Sequence, residues 1–141
     1  FRTRYKDFND EWQNRDYDVK LLLSAIGGYR LNDKWEFSVR WTYIGNRPYT
    51  PIDKGVSASL DQSIREQNSY NDERLSTFHS IYLRTDRRFF WDNFTIVGFF
   101  ELWNAYNRQN VEQLYWNRKT NSVDEINQFD LLPVGGFKIE F

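Results

Sequence analysis

Three observations predict an all-β chain, built as an antiparallel segment of a transmembrane β-barrel. Large apolar and polar residues alternate with period 2 in several stretches. Aromatic residues are abundant in a chain that is hydrophilic as a whole. Tight turns alternate with long polar connections. The first is clearest in Trp35-Glu36-Phe37-Ser38-Val39-Arg40-Trp41-Thr42-Tyr43, where every odd position is large and every even one polar. That pattern makes one greasy and one wet face of a strand, and no single face of a helix. For the second, aromatics are 19% of the chain, with 6 Trp, 9 Tyr and 12 Phe, yet mean hydropathy is -0.80. A soluble core that rich in rings also carries many Leu, Ile and Val. A barrel with an apolar outer face, a polar lumen and polar loops accounts for both numbers.

Taken in order, a first strand is expected over about 1–8. A second covers about 17–31, with Val19, Leu21, Leu23, Ala25, Tyr29 and Leu31 on one face and Lys20, Ser24 and Arg30 on the other, joined by Leu22 and Ile26. Asn32-Asp33-Lys34 supplies turn-forming residues for a tight connection. The third strand, about 34–46, holds the alternating run above. A long polar segment, about 45–77, follows. The fourth strand, about 77–91, sets Ile81, Leu83 and Phe89 against Ser80, Tyr82, Arg84, Asp86 and Arg88. Asp92-Asn93 makes the second tight turn. The fifth strand, about 93–106, points Phe94, Ile96, Phe100 and Leu102 outward. A second long polar segment spans about 106–129. The last strand, about 130–141, alternates Phe137, Ile139 and Phe141 with Gly136, Lys138 and Glu140.

The sorting of connections is the third observation. Outer-membrane barrels have short periplasmic turns and longer extracellular loops, whereas structureless connections this long count against a compact soluble domain. The two long segments are therefore read as extracellular. Trp35 and Trp91 then fall in a periplasmic aromatic girdle, and Trp41 and Tyr43 in an outer one. Trp103 shares the parity of Glu101 and is expected to point inward. A hairpin closing Trp91 on Phe94 sets Arg84 opposite Glu101, and one closing Leu31 on Trp35 sets Arg30 opposite Glu36, as two lumen ion pairs. Such cross-strand pairs contribute about 0.2–1 kcal/mol each.

Other classes find little support. A net charge of -1 gives no basic footprint for nucleic acid. Without cysteine there is no disulfide framework and no thiolate metal site. His79 is the single histidine, and its parity points it outward as a girdle residue, so neither a metal centre nor Ser-His-Asp chemistry is expected around it. Asp61, Glu66, Asp72 and Glu73 lack the spacing of a calcium loop and read as solvated loop charge. No metal, cofactor or enzymatic activity is expected. The candidate ligand contacts are Arg47 and Tyr49 at the barrel mouth and the aromatic-basic cluster Tyr115, Trp116, Arg118 and Lys119. Rings stack on ligand rings and cations pair with carboxylates. That cluster also suits the tip of a β-ribbon. No signal-peptide pattern and no apolar run of about 18 residues is present, and the chain is read as a piece of a longer one without its N-terminal plug.

Several stretches resemble a known family. Leu132-Pro133-Val134-Gly135-Gly136-Phe137-Lys138-Ile139-Glu140-Phe141 resembles the final strand of outer-membrane barrels, in which Phe137, Ile139 and Phe141 would form the signal read by the barrel-assembly machinery. Gly45-Asn46-Arg47-Pro48-Tyr49-Thr50-Pro51 resembles the Gly-x-Pro-Tyr-Thr-Pro element that follows an outward strand in TonB-dependent receptors. The run from Phe99 to Val111, with Glu101, Asn104 and the closing Asn107-Arg108-Gln109-Asn110-Val111, is similar to their penultimate strand. Tyr82-Leu83-Arg84-Thr85-Asp86-Arg87-Arg88-Phe89 is similar to the strand before it. The resemblance implies a barrel of roughly twenty-two strands around a plug, of which this chain would supply the last six. It implies active uptake across the bacterial outer membrane of a scarce nutrient such as a siderophore, cobalamin or glycan. The implied partners are outer-membrane lipid, the rest of the barrel and plug, the TonB energy-coupling protein, the barrel-assembly machinery and a surface lipoprotein. The alternative is a passive porin or barrel adhesin, and behind it a barrel enzyme or a soluble glycan-binding β-domain.

Overall fold

A computed structural model of the chain describes residues 2–141. The described residues form antiparallel β-structure with one short helix, and fall into two compact units. The second unit takes in residues 23–42, 79–108 and 129–141. Its sheet is made by five strands: β3 (Leu22–Arg30), β4 (Trp35–Ile44), β7 (Phe78–Phe90), β8 (Thr95–Trp103) and β11 (Leu132–Glu140). The order across the sheet is β11-β8-β7-β4-β3, which is chain order once the inserted elements are set aside. This is an up-and-down meander.

Period 2 explains the sheet's two faces. On one lie Phe37 and Val39 of β4, Leu83 and Phe89 of β7, Phe100 of β8, and Phe137 and Ile139 of β11, all exposed. Phe100 is 47% exposed and Phe137 74%, far from core values. On the other face β7 and β8 pair Arg84 with Glu101, and β8 and β11 pair Glu101 with Val134. Gly136 stands there opposite Phe99, where a Cβ would come within 2.9 Å of two ring carbons. Only glycine lets that ring lie flat across β11.

Both tight turns sit at one end of these strands. Asn32 closes the first with its side-chain oxygen, which accepts from the Lys34 and Trp35 amides at 2.9 and 3.0 Å. The second closes with Trp91 donating to the Phe94 carbonyl at 2.9 Å. The long connections leave from the opposite strand ends.

The first unit takes in residues 2–22, 43–78 and 109–128. It holds three hairpin-like ribbons: β1 (Arg4–Lys6) with β2 (Trp12–Asn14), β5 (Pro48–Tyr49) with β6 (Glu73–Arg74), and β9 (Val111–Asn117) with β10 (Ser122–Asn127). Helix α1 (Lys54–Leu60) begins at Asp53, whose carboxylate accepts from the Val56 amide at 2.9 Å as an N-cap. It ends where Asp61 adopts φ 54°, a left-handed stop. The small core includes Val19, Ile52, Leu75 and Trp116.

Three differences from the sequence expectation stand out. The strand expected over 1–8 stops at Lys6 and pairs with β2, not with the five-stranded sheet. The Asp7 carboxylate accepts from the Asn9 and Glu11 amides, and Asp10 takes φ 64°, so the chain turns back within four residues. The strand expected from 17 starts at Leu22, because Tyr17 to Val19 are held in turns by Asp18 donating to Arg15 and Val19 to Tyr17. The long connections, expected as polar loops, carry α1 and two ribbons. Among the described residues the five-stranded sheet does not close on itself, and β3 and β11 are its edges.

Candidate functional site

The polar face of the sheet carries one charge network. Arg84 donates to Glu101, and to both carboxylate oxygens of its i+2 neighbour Asp86 at 2.6 and 2.8 Å. Trp103 donates its indole N–H to the other Glu101 oxygen at 2.6 Å. The Arg84 guanidinium also lies 4.6 Å from the centroid of Phe99. Glu36 accepts from Arg88 at 3.0 Å and lies 3.5 Å from Arg30. Sequence register supplies the pairs Arg84–Glu101 and Arg30–Glu36. Strand parity also puts Asp86, Arg88 and Trp103 on this face, as expected; what the sequence left unread is which of them meet, Asp86 with Arg84, Arg88 with Glu36 and Trp103 with Glu101. Arg40 stacks on the Tyr82 ring at 4.3 Å on the same face.

On the apolar face, Trp35 stacks on Phe37 with centroids 6.0 Å apart, and Trp91 on Phe94 at 5.1 Å. Both pairs flank the tight turns. Trp41 and Tyr43 lie at the far end of β4 and are half-buried. His79 is hydrogen-bonded to the Tyr106 hydroxyl at 2.6 Å. Phe137, Ile139 and Phe141 are exposed along the last strand and its end. Among the described residues no group of three or more acidic, His or Cys side chains could hold a metal ion.

The first unit has a cleft of about 430 Å³. Arg47, Tyr49, Arg65, Tyr70, Asn71 and Glu112 give it its chemistry. Arg47 donates to the Glu112 carbonyl and to its carboxylate at 3.2 Å. Arg65 donates to the Thr50 carbonyl at 2.8 Å and the Leu114 carbonyl at 3.2 Å, tying the segment after β5 to β9. Tyr70 donates to Asp16 at 3.2 Å, and Asn71 donates to the same oxygen at 2.8 Å. Burial pushes the Tyr49 phenol up and Glu73 adds to it, against Arg65. Burial and then the Asp16 charge push Tyr70 up as well. Both phenols are therefore donors at neutral pH. Glu112 is held below the usual carboxylate range by its bond from Gln128, against burial and with help from Arg47. The cleft offers rings to stack on, together with fixed donors and a carboxylate.

Of the six candidate ligand contacts, Arg47 and Tyr49 line this cleft. The cluster Tyr115, Trp116, Arg118 and Lys119 is not brought into it. Trp116 is 6% exposed, and its amide donates to Ser63 at 2.8 Å. It is a core residue, because β9 turns Leu114 and Trp116 to the opposite side from Gln113 and Tyr115. Tyr115 faces Asp124 across the ribbon. Arg118 lies 3.8 Å from Asp61 in an exposed pair. Lys119 is exposed, its amide donating to Asn117 in the ribbon's turn. Arg65, Tyr70, Asn71 and Asp16 are functional candidates that sequence reasoning missed, since they converge from separate segments without any local motif.

A second convergence holds the unit together. Asp18, with a side chain 2% exposed, accepts from Arg74 at 2.9 Å and from the Thr3 amide at 2.7 Å. The other Arg74 nitrogen donates to the Asp18 and Asn46 carbonyls at 2.7 and 2.9 Å. Comparison with protein-family models, with curated proteins and with solved structures gave no match.

Proposed function

We propose that the chain is the C-terminal part of an outer-membrane β-barrel of the TonB-dependent receptor type, which takes up a scarce nutrient by active transport. The observation that carries this reading is the two-faced meander. One face exposes Phe37, Val39, Leu83, Phe89, Phe100, Phe137 and Ile139, while the other holds the Arg84–Asp86–Glu101 and Glu36–Arg88 pairs. In water such an apolar surface costs about 25 cal/mol per Å² and marks an interaction site. Against lipid that cost vanishes. The open edges β3 and β11 would leave unpaired backbone groups in hydrocarbon, so further strands of the same barrel are expected to pair with both. In this reading the segments 45–77 and 106–129 are extracellular, and the cleft of Arg47 and Tyr49 is a ligand contact. Phe137, Ile139 and Phe141 face the assembly machinery. The energy-coupling partner acts on a plug outside these residues.

The test is uptake by cells expressing the full-length chain, together with its fractionation and heat-modifiable migration in gels. Outer-membrane location, a heat-modifiable band and uptake abolished by an uncoupler are expected. Uptake that survives the uncoupler would assign a passive porin, and surface display without uptake an adhesin. A chain that is monodisperse without detergent would overturn the barrel itself.

A further inference from the structure

We propose that the apolar face of the five-stranded sheet carries a specific site for one anionic glycerophospholipid of the periplasmic leaflet, with Arg87 and Lys34 holding its phosphate. The proposal rests on the barrel reading above, since it requires this face to meet lipid. Arg87 is the anomaly that prompts it. β7 pairs Arg87 with Gly98 and Phe89 with Ile96, which places the guanidinium on the apolar face, exposed. A cation there is costly unless it has a partner. Among the described residues no carboxylate lies within ion-pair distance of Arg87 or of Lys34, whereas Arg88, one residue on, is paired with Glu36.

The surroundings fix Arg87 without neutralising it. Its guanidinium lies 5.0 Å from the Trp35 centroid and 4.8 Å from that of Phe89. A guanidinium set against two rings keeps its charge and can offer its N–H groups to a planar, bidentate contact with phosphate. Gly98, directly opposite, sets no side chain against it. Lys34 and Arg87 line one hollow of about 330 Å³ with Phe89, Phe90, Trp91 and Arg88, the last of them paired with Glu36, next to the tight turns. Arg87 lies against the ring of Trp35, a residue of the periplasmic girdle, and girdle rings sit at headgroup level.

The same face also offers room for an acyl chain. A larger hollow, about 610 Å³ and almost wholly apolar, is lined by Gly27, Tyr29, Phe37, Val39, Leu83 and Phe100. Gly27 makes it: the nearest side chain a Cβ there would meet is Val39, at 3.7 Å. Phe37, which stacks on Trp35 under Arg87, forms its lower wall. A phosphate on Arg87 and a chain rising past Phe37 to Phe100 then describe one lipid molecule. Two cations beside each other favour a net-negative headgroup over a zwitterionic one.

The test is native mass spectrometry of the full-length chain in non-ionic detergent, given equimolar phosphatidylglycerol and phosphatidylcholine, with heat-modifiable migration run on the same samples. The wild type is expected to retain phosphatidylglycerol about tenfold over phosphatidylcholine, the worth of one charge-assisted contact. Arg87→Gln with Lys34→Gln brings the two lipids to parity, while Arg87→Lys keeps most of the preference. Val39→Trp fills the apolar hollow and lowers retention of both lipids. Equal preference in the wild type and the double variant, with the heat-modifiable band intact, overturns the lipid site alone. Inorganic phosphate displacing the lipid at equal concentration also overturns it and assigns a free-anion site. Loss of the heat-modifiable band in the wild type would remove the barrel reading and this proposal with it.

Discussion

Replacing Arg74 with Met is expected to loosen the first unit by breaking its buried ion pair. Asp18 would keep only the Thr3 amide as a donor, and the Asp18 and Asn46 carbonyls would lose theirs. Removing one partner of a buried pair costs about 3–5 kcal/mol. Arg74 keeps 21% of its side chain exposed, so water reaches the gap, and the lower end, about 3 kcal/mol, applies. Hydrogen exchange through local opening then accelerates about 150-fold. The assay is hydrogen exchange with peptide-level mass spectrometry on the full-length chain, read over residues 2–20 and 44–49. Asp18→Asn combined with Arg74→Met removes the stranded charge, and is expected to recover part of the protection lost in the single variant. The pH dependence has a definite sign. Burial raises the Asp18 carboxyl, but the bonds from Arg74 and Thr3 outweigh it and leave the group below its ordinary value. The pair's contribution is thus fully present above the unfolded value of about 3.9 and fades as pH falls below it through the folded value. Exchange in Arg74→Met within threefold of wild type at pH 7 would refute the argument.

Gly136→Ala is expected to cost about 1–3 kcal/mol, because its Cβ meets the Phe99 ring at 2.9 Å and the ring is also Arg84's stacking surface. A lower temperature for the heat-modifiable gel shift would register the loss. Glu101→Lys sets a cation opposite Arg84, and with Arg84 40% exposed the loss is expected to be about 1 kcal/mol after screening, visible in the same gel; no shift would count against a structural role for the pair. Asp53→Ala removes the α1 N-cap and is expected to raise exchange over residues 54–60 by about fivefold, for about 1 kcal/mol.

The strands with clean alternation were the legible part. From Trp35 to Tyr43 one face is wholly large and the other wholly polar, and β4 lies there. Asn32-Asp33-Lys34 and Asp92-Asn93 mark both tight turns by residue type, and two fixed turns set the Arg84–Glu101 and Arg30–Glu36 registers. Asp7-Phe8-Asn9-Asp10 carried an equally local turn signal, hidden by the apolar Phe1, Tyr5 and Phe8 around it. The first unit was illegible for a different reason. Its order comes from pairs distant in sequence, such as Asp18 with Arg74 and Arg47 with Glu112, and polar composition does not reveal which partners meet. Trp116 shows the same limit. Beside Tyr115, Arg118 and Lys119 it looked like a surface cluster, but ribbon parity turns it into the core.

The segment 45–77 is clasped at its base. The Leu75 amide donates to the Arg47 carbonyl at 2.9 Å, the Asn46 side chain donates to the Leu75 carbonyl at 2.9 Å, and Arg74 reaches the Asn46 carbonyl. The clasp lies a few residues beyond the end of β4 and before the start of β7. Once it forms, the entropy of bringing those two strand ends together no longer depends on how much chain lies above it. A free loop would cost about 0.6 kcal/mol more for each doubling of its length. Residues of this segment other than Ile52, Ser63, Arg65 and Asn71, which tie the first unit together, can thereby lengthen, shorten or be exchanged without altering the order in which β4 and β7 find each other. Diversification of whatever this segment touches is decoupled from the folding of the strands that carry it.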